Sequence, residues 1–172
     1  LPNTIEGGAL VFKNQKMFQK AKIIRDYGIQ RDNFRNELNE INPECDIKLE
    51  GYGALMSEVN SFIGVKQMDD VNKLIEKQRM NGKVWDKKIN EIKNIKPINI
   101  TPYSSPNNWV YGIFAENKIE AIKSFRKQGF YATSVHINNN IYSIFNNKIN
   151  LKGVTEFMNN FVALPSGWWI KM

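Results

Sequence analysis

The chain has one histidine, His136, and one cysteine, Cys45, so its supply of nucleophiles and metal ligands is small. A lone histidine lacks the partners that a Ser-His-Asp triad or a histidine-rich metal centre requires. One cysteine can form neither an internal disulfide nor a Cys-rich zinc site. We therefore expect no metal, and the isolated His136 is more consistent with a structural histidine than with a catalytic one.

Two glycine pairs and a tryptophan pair are the other residues that could contact a ligand. Gly7-Gly8 and the turn predicted at Gly51-Tyr52-Gly53 would let backbone approach a bound group, although ordinary turns account for them as well. The adjacent Trp168 and Trp169 could form a stacking platform or belong to the core, and the core is the better account of two aromatic residues near a predicted strand. None of these features specifies a reaction.

The first part of the chain alternates short regular elements with polar loops. Residues 9–12 predict a buried strand, and apolar residues at helical spacing predict a helix over 15–27 that Gly28 caps. Residues 29–50 predict an irregular loop. Ser57 is the expected N-cap of a further helix. A long helix is expected from Asp69 or Asp70 to about residue 94, with Trp85 and Ile89 among the residues of its buried face and a close packing partner at Gly82.

Prolines at 97, 102 and 106 predict a linker, after which the pattern changes. We expect a strand over 109–114, a helix over 118–128 and a strand over 131–137, with Ile119, Ile122 and Phe125 of the helix turned inward and Gly129 as its cap. These elements make a β-α-β unit of about 30 residues. A short helix over 154–160 and a last strand over 161–164 complete a small α/β lobe.

Composition limits the class of protein. The 172 residues are 42% apolar and 24% charged, which supports a packed core and excludes an intrinsically disordered chain. The apolar runs are too short to cross a bilayer, and no secretory leader is visible. The single cysteine fits a cytoplasmic protein. A net charge of +7 permits anionic partners, but the lysines are dispersed among acidic residues, as on a solvated surface.

Five short motifs in a fixed order add information that no single residue carries. They are IEGG at residues 5–8, RDYG at 25–28, GYGALMSE at 51–58, VHINN at 135–139 and PSGWW at 165–169. This succession resembles the C-terminal half of the DegT/StrS family of sugar-nucleotide aminotransferases. The resemblance covers nearly the whole chain.

The resemblance implies a fold-type I α/β protein with pyridoxal 5′-phosphate as cofactor. Residues 1–68 would be the C-terminal part of the large cofactor-binding domain, residues 69–107 a connecting helix and linker, and residues 108–172 the small α/β domain. The reaction implied is transfer of an amino group from glutamate to a nucleotide-linked 4-keto-6-deoxy sugar, with a dTDP sugar favoured, as in lipopolysaccharide or O-antigen biosynthesis. The partners implied are the N-terminal half of the same protein and a second copy in a homodimer, with no membrane and no nucleic acid.

The same resemblance assigns the site residues. Tyr52 and Gly53 would face the cofactor phosphate of the partner subunit. The family has asparagine where this chain has Gly53, so a backbone N–H or another residue must serve here. Tyr27 replaces the histidine of the RDHG motif, and Leu55 replaces an arginine of the GYNYRMSE motif.

The lysine that holds the cofactor lies, in the family, directly before the position of Leu1, so we assign no catalytic residue within the chain. The chain would then be a C-terminal fragment or one side of a break at a modified lysine. On the substrate side, His136 matches a family histidine that points toward the sugar nucleotide. The amides of Asn138, Asn139 and Asn140 beside it suit sugar hydroxyl groups.

Two alternatives remain open from the sequence. Some family members are dehydratases that carry histidine in place of the cofactor-binding lysine, and the deciding residue lies before Leu1. A basic nucleic-acid-binding module is the second alternative, and it depends only on the net charge.

Overall fold

The computed structural model describes residues 3–146 and 149–172, and its backbone contacts divide the chain into two compact units. Residues 2–69 form the first unit and residues 70–172 the second. The connecting helix and the proline-rich segment therefore belong to the same unit as the small α/β lobe. Among the helices of the described residues, none is long and apolar enough to cross a bilayer.

The first unit contains helices α1 (Gln15–Arg25), α2 (Arg31–Phe34) and α3 (Glu58–Met68). Side-chain caps fix where the two longer helices begin. The Asn14 side chain accepts a hydrogen bond from the Met17 N–H at 3.0 Å. Ser57 accepts one from the Asn60 N–H at 3.2 Å, which confirms the predicted N-cap.

Helix α1 ends two residues earlier than the sequence predicts, in a left-handed cap. The Gly28 N–H donates to the Ile23 carbonyl at 2.9 Å, the long hydrogen bond of a Schellman motif. Tyr27 and Gly28 both have positive φ, 55° and 80°. The expected glycine cap is therefore present, but an aromatic residue occupies the first left-handed position.

Residues 51–53 do not form the expected turn; they lie antiparallel to the end of α1. The Tyr52 N–H donates to the Ile24 carbonyl at 2.7 Å, and the Ala54 N–H donates to the Arg25 carbonyl at 3.0 Å. The segment 51–53 lies so close to the end of α1 that glycine is required at position 51, because a Cβ there would lie 2.7 Å from the Tyr27 Cα.

An ion pair between Arg31 and Asp26 stabilises the contact between residues 51–53 and the end of α1. The Arg31 guanidinium donates to the buried Asp26 carboxylate at 2.7 Å, and Asp26 forms an isolated antiparallel bridge with Gly53. The hydrogen bond from Arg31 holds the pKa of Asp26 below its usual value. A charged Asp26 is thus the form that pairs with Arg31.

The strand predicted over residues 9–12 is wrong. These residues are irregular, with Leu10 and Val11 exposed by 79% and 95%. A strand requires a neighbour for its backbone N–H and C=O groups, and no described segment pairs with residues 9–12.

The second unit is built on a three-stranded antiparallel sheet in the order β1-β2-β3. Its elements are α4 (Val71–Ile89), β1 (Ile95–Pro97), β2 (Val110–Ala115), α5 (Lys118–Lys127), α6 (Lys152–Asn160) and β3 (Phe161–Pro165), with 3₁₀ turns at Asn139–Ile141 and Ser143–Phe145. The predicted strand over 109–114 and the two predicted helices after it are confirmed within two residues at each boundary. Pro97 lies in a strand rather than in the linker that was expected to contain it.

The segment that follows α5 is only a minimal strand. Residues 131–137 contribute a single antiparallel bridge, from Thr133 to Ala163 of β3. Because β2 and Thr133 are both antiparallel to β3, they run parallel to each other with β3 between them. The predicted β-α-β unit is thus present in split form, and the prediction of a full strand over 131–137 is wrong.

Helix α4 is part of the core of this unit. Trp85 and Ile89 are buried against the sheet residues Ile113 and Leu164, and the Trp85 indole N–H donates to the Pro165 carbonyl at 2.9 Å. A Cβ added at Gly82 would lie 3.0 Å from the Asn108 Cγ, which confirms the close partner expected there.

A hydrogen bond from a buried tyrosine to an exposed aspartate joins the same helix to the sheet. The Tyr111 hydroxyl donates to the Asp86 carboxylate at 2.5 Å. Burial, together with the negative charge of Asp86, raises the pKa of the Tyr111 phenol, so this donor keeps its proton.

Two side-chain predictions for this unit are wrong. Ile119 is 67% exposed, whereas Phe125, which was also predicted to face inward, is buried together with Ala121. Trp168 and Trp169 are not core residues; they are 40% and 65% exposed and pack edge to face with each other.

Candidate functional site

Tyr52 and Gly53 lie on an exposed stretch of the first unit. The Tyr52 backbone is paired on both sides: its N–H donates to the Ile24 carbonyl, and its carbonyl accepts from the Tyr27 N–H at 3.2 Å. Its side chain is 70% exposed. The Gly53 N–H has no acceptor among the described residues, so it is a free backbone donor at the surface.

The Tyr27 ring covers the side of Gly53 on which a side chain would begin. A Cβ added at Gly53 would overlap the Tyr27 hydroxyl oxygen and lie 2.5 Å from the Tyr27 Cζ. The phenol is 59% exposed and has no hydrogen-bond partner within the described part of the chain. Each of these unpaired donors could hydrogen-bond a phosphate oxygen, so the residues fit a phosphorylated cofactor.

His136 lies at the surface of the second unit, after a strained residue. Val135 has a φ of 60°, a left-handed conformation that is rare for a β-branched side chain. The His136 N–H donates to the Ser134 carbonyl at 2.7 Å, while the imidazole is exposed. Backbone strain of this kind is concentrated at functional sites, so its position directly before His136 favours a functional role over a purely structural one.

The three asparagines after His136 have different environments. The Asn138 amide nitrogen lies 3.4 Å from the Thr155 hydroxyl, and its buried Oδ1 atom is unpaired in the described structure. The Asn140 amide donates to the Ile149 carbonyl at 3.1 Å. The Asn139 carbonyl accepts the Tyr142 N–H, and its side chain is exposed. Asn138 and Asn140 therefore position the loop, and Asn139 is the most available to a ligand.

The structure thus groups the candidate residues in two sets. Tyr52 and Gly53 belong to the first unit, while His136 and the three asparagines belong to the second. Each set is organised by its own local backbone. Sequence reasoning missed Tyr27 as a site residue, although its place in the RDYG motif was a usable signal.

A cleft of about 720 Å³ on the second unit also escaped prediction. It lies beside the edge strand β1, with Phe114 and Phe157 among its apolar residues and Glu116 and Glu156 at its rim. None of the predicted site residues lines it. Its polar residues are scattered along the sequence without a motif, so no sequence signal pointed to it.

Solved structures with this architecture include sugar aminotransferases and a sugar-nucleotide dehydratase. The sugar aminotransferase CalS13 from Micromonospora echinospora superposes with a TM-score of 0.82 at 20% identity, over 94% of this chain and 42% of its own length. The Helicobacter pylori aminotransferase PseC gives a TM-score of 0.76 at 20% identity, over 98% of this chain and 46% of its own. These similarities confirm the fold expected from the motifs.

The chain belongs to the DegT/DnrJ/EryC1/StrS aminotransferase family, whose model matches residues 2–168. Among curated relatives, a UDP-4-amino-4,6-dideoxy-N-acetyl-beta-L-altrosamine transaminase from Helicobacter pylori is 24% identical over 94% of this chain. The chain spans 43% of the length of that relative.

Proposed function

We propose that the chain is the C-terminal part of a pyridoxal-phosphate-dependent aminotransferase that moves an amino group from glutamate to a nucleotide-linked 4-keto-6-deoxy sugar. The family match over residues 2–168 carries this proposal. The motif pattern favours a dTDP sugar, whereas the Helicobacter pylori relative is named for a UDP sugar, so both nucleotides are candidates.

In this proposal residues 1–68 complete a large cofactor-binding domain and residues 108–172 form the small domain, with residues 69–107 connecting them. The lysine that holds the cofactor directly precedes Leu1. The protein is a cytoplasmic homodimer, and Tyr52 and Gly53 contact the cofactor phosphate of the partner subunit. The free Gly53 N–H supports that role, because a phosphate oxygen can accept its hydrogen bond without a side chain at this position.

Pyridoxal phosphate, when bound, supplies the electron-withdrawing ring that allows proton removal next to the transferred amino group. The residues of this chain bind and orient. His136 donates a hydrogen bond to an oxygen of the sugar nucleotide, and Asn139 beside it offers an amide to a sugar hydroxyl. The imidazole of His136 is exposed and therefore accessible for this contact.

The residue before Leu1 provides the test of the proposed reaction. We expect the full-length protein to show the visible absorbance of lysine-bound pyridoxal phosphate and to convert glutamate and a dTDP- or UDP-linked 4-keto sugar into 2-oxoglutarate and the amino sugar. Replacing the preceding lysine with alanine should abolish both signals, because the proposal assigns the covalent attachment of the cofactor to that lysine.

A histidine found at that position, with sugar dehydration and no amino transfer, would replace the proposal with the dehydratase alternative. Binding of DNA that weakens steeply with added salt, in a protein without cofactor, would favour the nucleic-acid module instead.

The substrate role of His136 gives a separate prediction. We expect His136→Ala in the full-length enzyme to raise the KM for the keto sugar about tenfold, the effect of one lost hydrogen bond, while the cofactor spectrum stays unchanged. Ile119→Ala is a suitable control, since its side chain is 67% exposed and lies on a different element. Unchanged KM and kcat in His136→Ala would make this residue structural.

A further inference from the structure

Tyr27 adopts a backbone conformation that its side chain disfavours. Its φ of 55° lies in the left-handed region, where a bulky aromatic residue is an outlier. The hydrogen bonds on either side hold it there: the Gly28 N–H closes the cap of α1 on the Ile23 carbonyl, and the Tyr27 N–H itself donates to the Tyr52 carbonyl. Strain that its surroundings maintain in this way is a reason to ask what the side chain does.

The strained backbone places the phenol where residue 53 has no side chain. An added Cβ at Gly53 would overlap the Tyr27 hydroxyl oxygen and lie 2.5 Å from Cζ and 2.8 Å from Cε1. Glycine is therefore required at position 53 as long as Tyr27 keeps this rotamer. The hydroxyl of Tyr27 occupies the position where the side chain of residue 53 would begin.

We propose that the Tyr27 hydroxyl and the Gly53 N–H together form a two-donor phosphate site, in which Tyr27 supplies the side-chain hydrogen bond that Gly53 cannot make. The inference rests on the proposed function, in which this segment binds the cofactor phosphate of the partner subunit. Both donors are exposed and unpaired in the described residues, and a phosphate oxygen accepts from either kind of donor.

The proposed phosphate site accounts for the departures from the family motifs at positions 27 and 53 as one paired substitution. The family pairs a histidine at the position of Tyr27 with an asparagine at the position of Gly53. In this chain the larger residue, Tyr27, is in the cap of α1, and the smaller residue, Gly53, lies opposite it. The side-chain hydrogen-bond donor is therefore in the cap of α1 and not in the segment that contains residue 53. A side chain at position 53 would collide with the Tyr27 ring in its present rotamer, so Tyr27 and an asparagine at position 53 do not fit together.

The first experiment compares two cofactors that differ only in the phosphate. Full-length protein stripped of cofactor is titrated with pyridoxal 5′-phosphate and with pyridoxal, and Kd is measured for each. Tyr27→Phe removes the hydroxyl and keeps the ring, so we expect its Kd for pyridoxal phosphate to rise about tenfold and its Kd for pyridoxal to stay at the wild-type value. Tyr103→Phe, a fully exposed tyrosine of the other unit, is the matched control and should change neither.

A second pair of variants tests whether the residues at positions 27 and 53 depend on each other. Gly53→Asn alone should weaken the binding of pyridoxal phosphate, because its side chain collides with the Tyr27 ring. The double variant Tyr27→His/Gly53→Asn, which restores the family pair, should recover the wild-type affinity. Full recovery in the double variant together with a phosphate-specific loss in Tyr27→Phe supports the site.

Three results would overturn the inference. Equal affinity for pyridoxal phosphate in wild type and Tyr27→Phe would remove the hydroxyl from the site while leaving the proposed function intact. An equal loss for both cofactors would assign Tyr27 to packing alone. Wild-type protein that binds neither cofactor would overturn the proposed function, and the inference with it.

Discussion

Trp85→Ala is expected to lower the free energy of unfolding of residues 70–172 by about 3–5 kcal/mol, the usual cost of truncating a large buried aromatic side chain. Trp85 is 1% exposed and packs on the sheet residues Tyr111 and Leu164. Its ring also meets Phe130 edge to face at 4.9 Å. Truncation would leave a cavity and would orphan the Pro165 carbonyl, which accepts the indole N–H.

Native-state hydrogen exchange at the amides of β2 and β3 measures this loss within the unit that contains Trp85. Trp109→Ala is the matched control, since that indole is 49% exposed and its removal should cost far less. Similar losses in the two variants would mean that α4 contributes little to the core of this unit.

Gly51→Ala should have the largest effect in the first unit, a loss of about 2–3 kcal/mol, because the added methyl group would meet main-chain atoms rather than a flexible side chain. Its Cβ would lie 2.7 Å from the Tyr27 Cα, with the Gly28 backbone closer still. The segment would have to move away from α1, which breaks the hydrogen bonds of Tyr52 and Ala54.

Faster hydrogen exchange at the Tyr52 and Ala54 amides is the expected signal. Gly8→Ala is the control within the same unit, since a Cβ at Gly8 meets nothing within 4 Å. That substitution should be neutral or slightly stabilising, because alanine restricts the unfolded chain. Protected amides in Gly51→Ala would show that the close approach is not required.

The sequence predicted well those elements whose signals are local. Ser57 as a helix cap, Gly129 after α5 and the small residue Gly82 beneath a neighbour each depend on a few adjacent residues, and the structure contains all three. The apolar spacing of α4 likewise identified Trp85 and Ile89 as buried.

The predictions that failed depended on partners distant in sequence. Residues 9–12 have the composition of a buried strand, but strand formation needs a neighbouring segment. Ile119 was assigned to the core from its spacing to Ile122, whereas the sheet contacts the side of α5 that carries Ala121 and Phe125.

The candidate site was likewise predicted only in part, because it also depends on a contact between residues distant in sequence. The motifs identified Gly53 and marked Tyr27 as a departure from the family pattern. That the Tyr27 ring lies on Gly53 follows from a left-handed φ at the end of α1, which no pattern in the sequence specifies.

The proline in β1 removes a hydrogen-bond donor from the edge of the sheet. Strand β1 is an edge of the sheet, and an open edge can recruit a strand from another molecule. The Ile98 N–H donates inward to the Gly112 carbonyl, so the alternation of the strand turns position 97 outward, where Pro97 has no N–H to offer. Lys96 adds a charge on the same three-residue strand. The edge strand β1 therefore offers an incoming strand fewer hydrogen bonds than a regular edge strand of the same length would.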